Sequence, residues 1–129
     1  MLYLIVFLGA GFGGAFRLGI NEVANRLLGL EFPFGTLIIN VLGAFVMGLL
    51  TEYFAFRGGV SQEVRLFLTT GVLGGFTTFS TFALESVVLW ERGQWMPAAA
   101  YVALSVFLSI CALIAGLAIV RLIIQAQAA

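Results

Sequence analysis

The chain has 129 residues, 62% of them hydrophobic and 9% charged, with six Arg balanced by six Glu and neither Lys, Asp nor His. That inventory excludes a Ser-His-Asp triad, a His-ligated zinc, a Walker lysine and a Schiff-base lysine, and a net charge of zero argues against nucleic acid as a partner. A mean hydropathy of +1.14 leaves too little polar surface for a soluble domain, so the composition describes a small integral membrane protein that is not an enzyme.

Charged residues divide the chain into apolar stretches, and about 20 residues of helix cross a hydrocarbon core of roughly 30 Å. The first stretch, residues 1–16, is uncharged and extends past Arg17 to give a predicted span over about 3–28. No basic residue precedes its apolar run, so it is expected to remain as a span rather than be removed as a signal peptide. Arg17 lies close to the hydrocarbon, where it either snorkels to the interface or raises the potential at a pore mouth.

After the short linker Leu30-Glu31-Phe32-Pro33, a second span is predicted over about 34–56, with Pro33 well placed at a helix start. Asn40 lies mid-span, with Thr36 one turn earlier on the same face. Arg57-Gly58-Gly59-Val60-Ser61 leads into a third span over about 63–90, with Ser61 as its N-cap. This span contains Gly71-Val72-Leu73-Gly74-Gly75-Phe76-Thr77-Thr78-Phe79-Ser80-Thr81-Phe82, a poor helix former in the middle of a membrane segment. A break is expected here, because irregular backbone at that depth survives only where it is buried in protein or lines a wet cavity. Broken helices also offer free carbonyls and N–H groups to ions. Glu85 follows as a second charge near the hydrocarbon, where it either snorkels to the interface or, with Arg17, belongs to the ion path.

Glu91-Arg92-Gly93-Gln94-Trp95 precedes a fourth span over about 96–125, and Trp90 and Trp95 fall where an interfacial aromatic belt is expected. Tyr101, Ser105 and Ser109 are spaced by four and share one helix face. Their hydroxyls, with those of Thr36, Thr78, Ser80 and Thr81 and the Asn40 amide, are neutral donors suited to a small unprotonated anion. Two plainer readings stand beside this one: interhelical glue, or hydroxyls bonded to carbonyls one turn back. Small residues recur at spacing four in Gly9/Gly13, Ala44/Gly48, Gly71/Gly75 and Ala112/Gly116, which suits close helix packing either within one copy or between copies.

Four spans place Arg57, Arg65 and Arg121 on one side of the membrane and Arg26 and Arg92 on the other. Three against two is almost no bias, whereas proteins of fixed orientation carry a clear basic excess inside. Either this small difference suffices, or copies insert both ways and pair antiparallel.

Over essentially its full length the chain resembles the Fluc/CrcB fluoride channel family. The resemblance is carried by Gly9-Ala-Gly-Phe-Gly-Gly-Ala-Phe-Arg17, Gly35-Thr36-Leu37-Ile-Ile-Asn40-Val-Leu-Gly43, the Gly71–Phe82 segment and Tyr101-x3-Ser105-x3-Ser109. The third of these is highly specific. The first departs from the usual pattern at Gly14, where Ala is common, and at Leu18, where Tyr or Trp is common.

The resemblance implies a fold of four transmembrane helices, the third broken mid-membrane, in an antiparallel dual-topology homodimer embedded in bacterial inner-membrane lipid. It implies passive export of the fluoride ion through two pores, each built from both copies. Asn40, Phe79 and Phe82 are then expected to line the path, with Thr36, Tyr101, Ser105 and Ser109 along a polar track. A structural Na+ at the dimer centre, held by the carbonyls of Gly74 and Thr77, is implied as well. Competing readings are a proton-coupled small multidrug transporter, whose first span needs a membrane-embedded acid that is lacking before Glu22, and a non-transporting scaffold.

Overall fold

The computed structural model describes all 129 residues, and its only regular elements are helices, with no strand. Both prolines sit where a missing N–H costs nothing: Pro33 caps the start of α2 (Phe34–Phe56), and Pro97 lies in the first turn of the last helix. The first helix, α1 (Leu2–Leu28), ends at Gly29, whose φ of 83° is open to glycine at little cost.

The third span is the irregular one. Ser61 caps it, its Oγ accepting the Val64 amide at 3.3 Å. The segment called α3 here (residues 62–76) begins as α-helix over Gln62–Leu66, widens to π-helix over Phe67–Leu73 and closes as α-helix over Gly74–Phe76. Thr77 and Thr78 are extended, with ψ of 157° and 113°, and α4 (Phe79–Glu91) resumes beyond them. The last helix, α5 (Trp95–Ala128), runs three residues beyond the predicted limit. Four helical segments are long and apolar enough to cross a membrane: Leu2–Leu28, Phe34–Phe56, Gln62–Glu91 and Trp95–Ala128.

Glycine location explains how these segments pack. α1 lies along α3 so closely that a Cβ on Gly13 would meet the Val72 carbonyl and the Phe76 amide, and one on Gly75 would meet the Ala10 backbone. On the other side of the molecule α2 lies along α5, with Gly48 against the Leu113 carbonyl and Gly116 against the Phe45 carbonyl. The small residues at these positions therefore serve packing within one copy. Gly74 and Gly75 likewise stay helical, and the extended backbone falls on the two threonines after them.

Side chains fix the ends. Arg121 forms a two-pronged pair with Glu52, at 2.8 and 3.0 Å, tying α5 to α2. Arg65 lies over the Phe54 ring and donates to the Phe54 carbonyl at 3.3 Å, serving the C-terminal turn of α2. Trp90 and Trp95 pack with ring centroids 5.8 Å apart across the α4–α5 turn, where Gly93 has φ 75°.

Candidate functional site

The site is built around Thr77 and Thr78. In a continuous helix the Thr78 amide would bond to the Gly74 carbonyl. Instead it donates to Asn40 Oδ1 at 2.8 Å, while Asn40 Nδ2 donates to the Thr78 carbonyl at 2.9 Å. One turn of α2 thus supplies a side-chain amide that replaces both backbone partners of one extended residue. Gly43, on the next turn of α2, lets the Thr77 methyl come in against the helix, where a Cβ would overlap it. Local bonds complete the joint. Thr77 Oγ1 donates to the Leu73 carbonyl at 2.8 Å, and Thr78 Oγ1 accepts the Thr81 amide at 3.2 Å as the N-cap of α4.

On one side of this joint lies a cavity of about 380 Å³, open on the face of a single copy. Asn40, Thr78, Phe79, Phe82, Ser105 and Ser109 all border it, and no charged residue does. The Phe79 and Phe82 rings are 5.4 Å apart at 58°, and Phe82 meets the Tyr101 ring at 5.3 Å in an edge-on contact. Phe82 is buried, whereas Phe79 is 78% exposed. Ser105 Oγ is buried at the cavity wall with no hydrogen-bond partner, so it has not been taken up by a carbonyl one turn back. A buried hydroxyl left unpaired is costly.

On the other side lies a smaller cavity of about 240 Å³, bordered by Arg17, Asn21, Thr36 and Thr81 among others. Thr78 borders both cavities. Arg17 Nη1 makes a long 3.5 Å contact with the Thr77 carbonyl, so the embedded arginine faces the joint. Ser80 is exposed and lies 3.4 Å from the Thr78 hydroxyl.

The polar track divides. Ser105 and Ser109 border the larger cavity, whereas Tyr101 and Thr36 turn to Glu85. Thr36 Oγ1 donates to Glu85 Oε1 at 2.9 Å, and the Tyr101 hydroxyl donates to Glu85 Oε2 at 2.7 Å. Both donors are buried, the Glu85 side chain is half-buried, and each of its two oxygens accepts one of these bonds. Sequence reasoning marked all three residues without bringing them together. The available signal was spacing: Thr36 and Asn40 are one turn apart, and their partners Glu85 and Thr78 run in the opposite order, as antiparallel neighbours do. Asn21, which borders the smaller cavity, carries no signal in the sequence, because its position near a span end reads as ordinary.

Residues 4–117 match the family model described as CrcB-like protein, Camphor Resistance (CrcB). The chain belongs to the CrcB family. Among its CrcB relatives, the fluoride-specific ion channel FluC of Rhodopseudomonas palustris (strain BisB5) is 58% identical over 123 residues, 95% of this chain and 99% of the relative. The protein of the same name from Granulibacter bethesdensis is 55% identical over 125 residues, 97% and 98% of the two chains. That from Methylobacterium nodulans is 58% identical over 118 residues, 92% and 94%. Membership in this family, with four helices able to span a bilayer, makes the protein a multi-pass membrane protein.

Proposed function

We propose that this CrcB protein is a passive, fluoride-selective ion channel, not an enzyme, that lets fluoride leave the cell and so relieves its toxicity. The observation that carries the reading is the unpartnered Ser105 hydroxyl, buried in the wall of a charge-free cavity that Phe79, Phe82 and Ser109 also border. Fluoride is small and strongly hydrated, so a narrow path must replace its water. Hydroxyl and amide N–H groups do so directly, and aromatic rings present a positive edge. A row of separate weak contacts favours conduction over tight binding.

The working unit in this reading is an antiparallel homodimer in the bacterial inner membrane, inserted in both orientations. Its support is the three-to-two arginine distribution and the exposed Phe79 ring, which needs a second surface if it is to border an enclosed path. The Gly74 and Thr77 carbonyls of both copies would hold a structural Na+ at the centre. The residues fit such an ion: Asn40 has diverted the Thr78 amide from Gly74, Gly74 is exposed, and the Thr77 carbonyl has only the long Arg17 contact. Neutral oxygens without an acid or thiol favour a singly charged hard cation. When bound, it would supply positive charge that holds the carbonyls of the two copies together.

Fluoride and chloride efflux from liposomes loaded with either ion tests the proposal. Rapid fluoride release with slow chloride release supports it. Equal release of both, or release only with a proton gradient, contradicts it.

A further inference from the structure

We infer that Asn21 is an anion-recognition residue at the mouth of the path, its amide taking up a small anion beside the Arg17 guanidinium as that anion sheds water. The inference rests on the channel reading and extends it to a residue outside the segments that carry the family resemblance.

The smaller cavity has a volume of about 240 Å³, room for on the order of eight waters, so a hydrated anion fits. Among the residues that border it, Arg17, Asn21, Thr36, Thr78 and Thr81 carry polar side chains, all of them able to donate, and none is a carboxylate. Several of these donors are already used. The Thr36 hydroxyl is spent on Glu85, the Thr78 hydroxyl on Thr81, and Arg17 spends one N–H on the Thr77 carbonyl. The Asn21 amide enters none of these bonds, so its N–H pair is free along with the rest of the Arg17 fork and the Thr81 proton.

Asn21 is also held in place. Its Oδ1 occupies the spot where a side chain at Gly35 would begin, so the carbonyl end packs against the first turn of α2. That leaves the NH₂ end for the cavity. No acid borders the cavity, and Glu85 stands one hydrogen bond behind Thr36. Glu22 is exposed on the neighbouring position of α1, about 100° around the helix. Glu85 is engaged by both Thr36 and Tyr101. Thr78 borders this cavity and the larger one, so the two lie on either side of one residue.

The test is fluoride efflux from liposomes at low and at high fluoride, for wild type, Asn21→Ala and Asn21→Gln. Losing one uncharged donor should lower the low-fluoride rate of Asn21→Ala roughly three- to tenfold relative to its high-fluoride rate, with Asn21→Gln restoring most of it. Gly35→Ala, which displaces the Asn21 oxygen, should produce the same skew in wild type and none in an Asn21→Ala background. Unchanged rates at both concentrations, or an equal fall at both, would overturn the role of Asn21. A wild-type protein that carries no fluoride would instead remove the channel reading on which this inference stands.

Discussion

Asn40 and Thr78 are joined by a reciprocal pair of hydrogen bonds, 2.9 Å from the Asn40 amide to the Thr78 carbonyl and 2.8 Å from the Thr78 amide back to Asn40 Oδ1. The pair explains how extended backbone persists between two helices: one side chain satisfies both polar groups of a buried residue that a helix would otherwise serve.

Replacing Asn40 should therefore affect both folding and conduction. Asn40→Ala leaves the Thr78 amide and carbonyl without partners, at about 1–3 kcal/mol each. It should lower the unfolding midpoint in detergent and reduce fluoride flux sharply. Asn40→Asp keeps the acceptor for the Thr78 amide but loses the donor and adds a repelling charge, so its flux should fall further than its stability. Wild-type flux and stability in Asn40→Ala would show that the pair is dispensable.

Phe79 and Phe82 should separate in their responses. Phe82 is buried against Tyr101, so Phe82→Ile forfeits an edge-on contact of about 0.5–1.5 kcal/mol and lowers both stability and flux. Phe79 is exposed in one copy, so Phe79→Ile should reduce flux with little change in the stability of the single fold. Normal conduction in both variants would reduce the rings to packing elements.

The glycines give a contrast within one helix. Gly13→Ala places a methyl on the Val72 carbonyl and should cost about 1–3 kcal/mol through overpacking, read as loss of monodisperse protein or a lower melting temperature. Gly11→Ala and Gly14→Ala meet open space and should leave the fold unchanged or slightly stabilised. Equal tolerance at all three positions would contradict the α1–α3 packing.

Orientation can be trapped. Basic residues added to the 57–65 loop should fix most copies one way and abolish fluoride resistance when that variant is expressed alone. Co-expression with a variant biased by basic residues on the opposite side should restore it. Full resistance from one biased variant would contradict antiparallel assembly.

Much of the architecture was legible in the sequence, because charge-free runs and membrane thickness define spans almost without reference to tertiary contacts. Ser61 was legible as a cap for the same local reason. The glycines were harder. Gly74-Gly75 reads as a place where a helix gives way, yet Gly75 is there to admit the Ala10 backbone, and the chain stays helical until Thr77. A glycine written for close approach and one written for flexibility look the same in sequence. The candidate residues stood out by type, but their pairing did not. Glu85 finds Thr36 49 positions away and Tyr101 16 positions away, and Asn21 meets Gly35 across the α1–α2 turn. Such meetings depend on helix rotation and register, which a single sequence does not encode locally.

The most direct measurement is the reversal potential of the purified protein in a planar bilayer with a tenfold fluoride gradient and equal chloride on both sides. A passive fluoride-selective path should reverse about 59 mV from zero, with the sign set by fluoride, and should not move when chloride is changed. A reversal potential near zero, or one that follows chloride, would contradict the assignment.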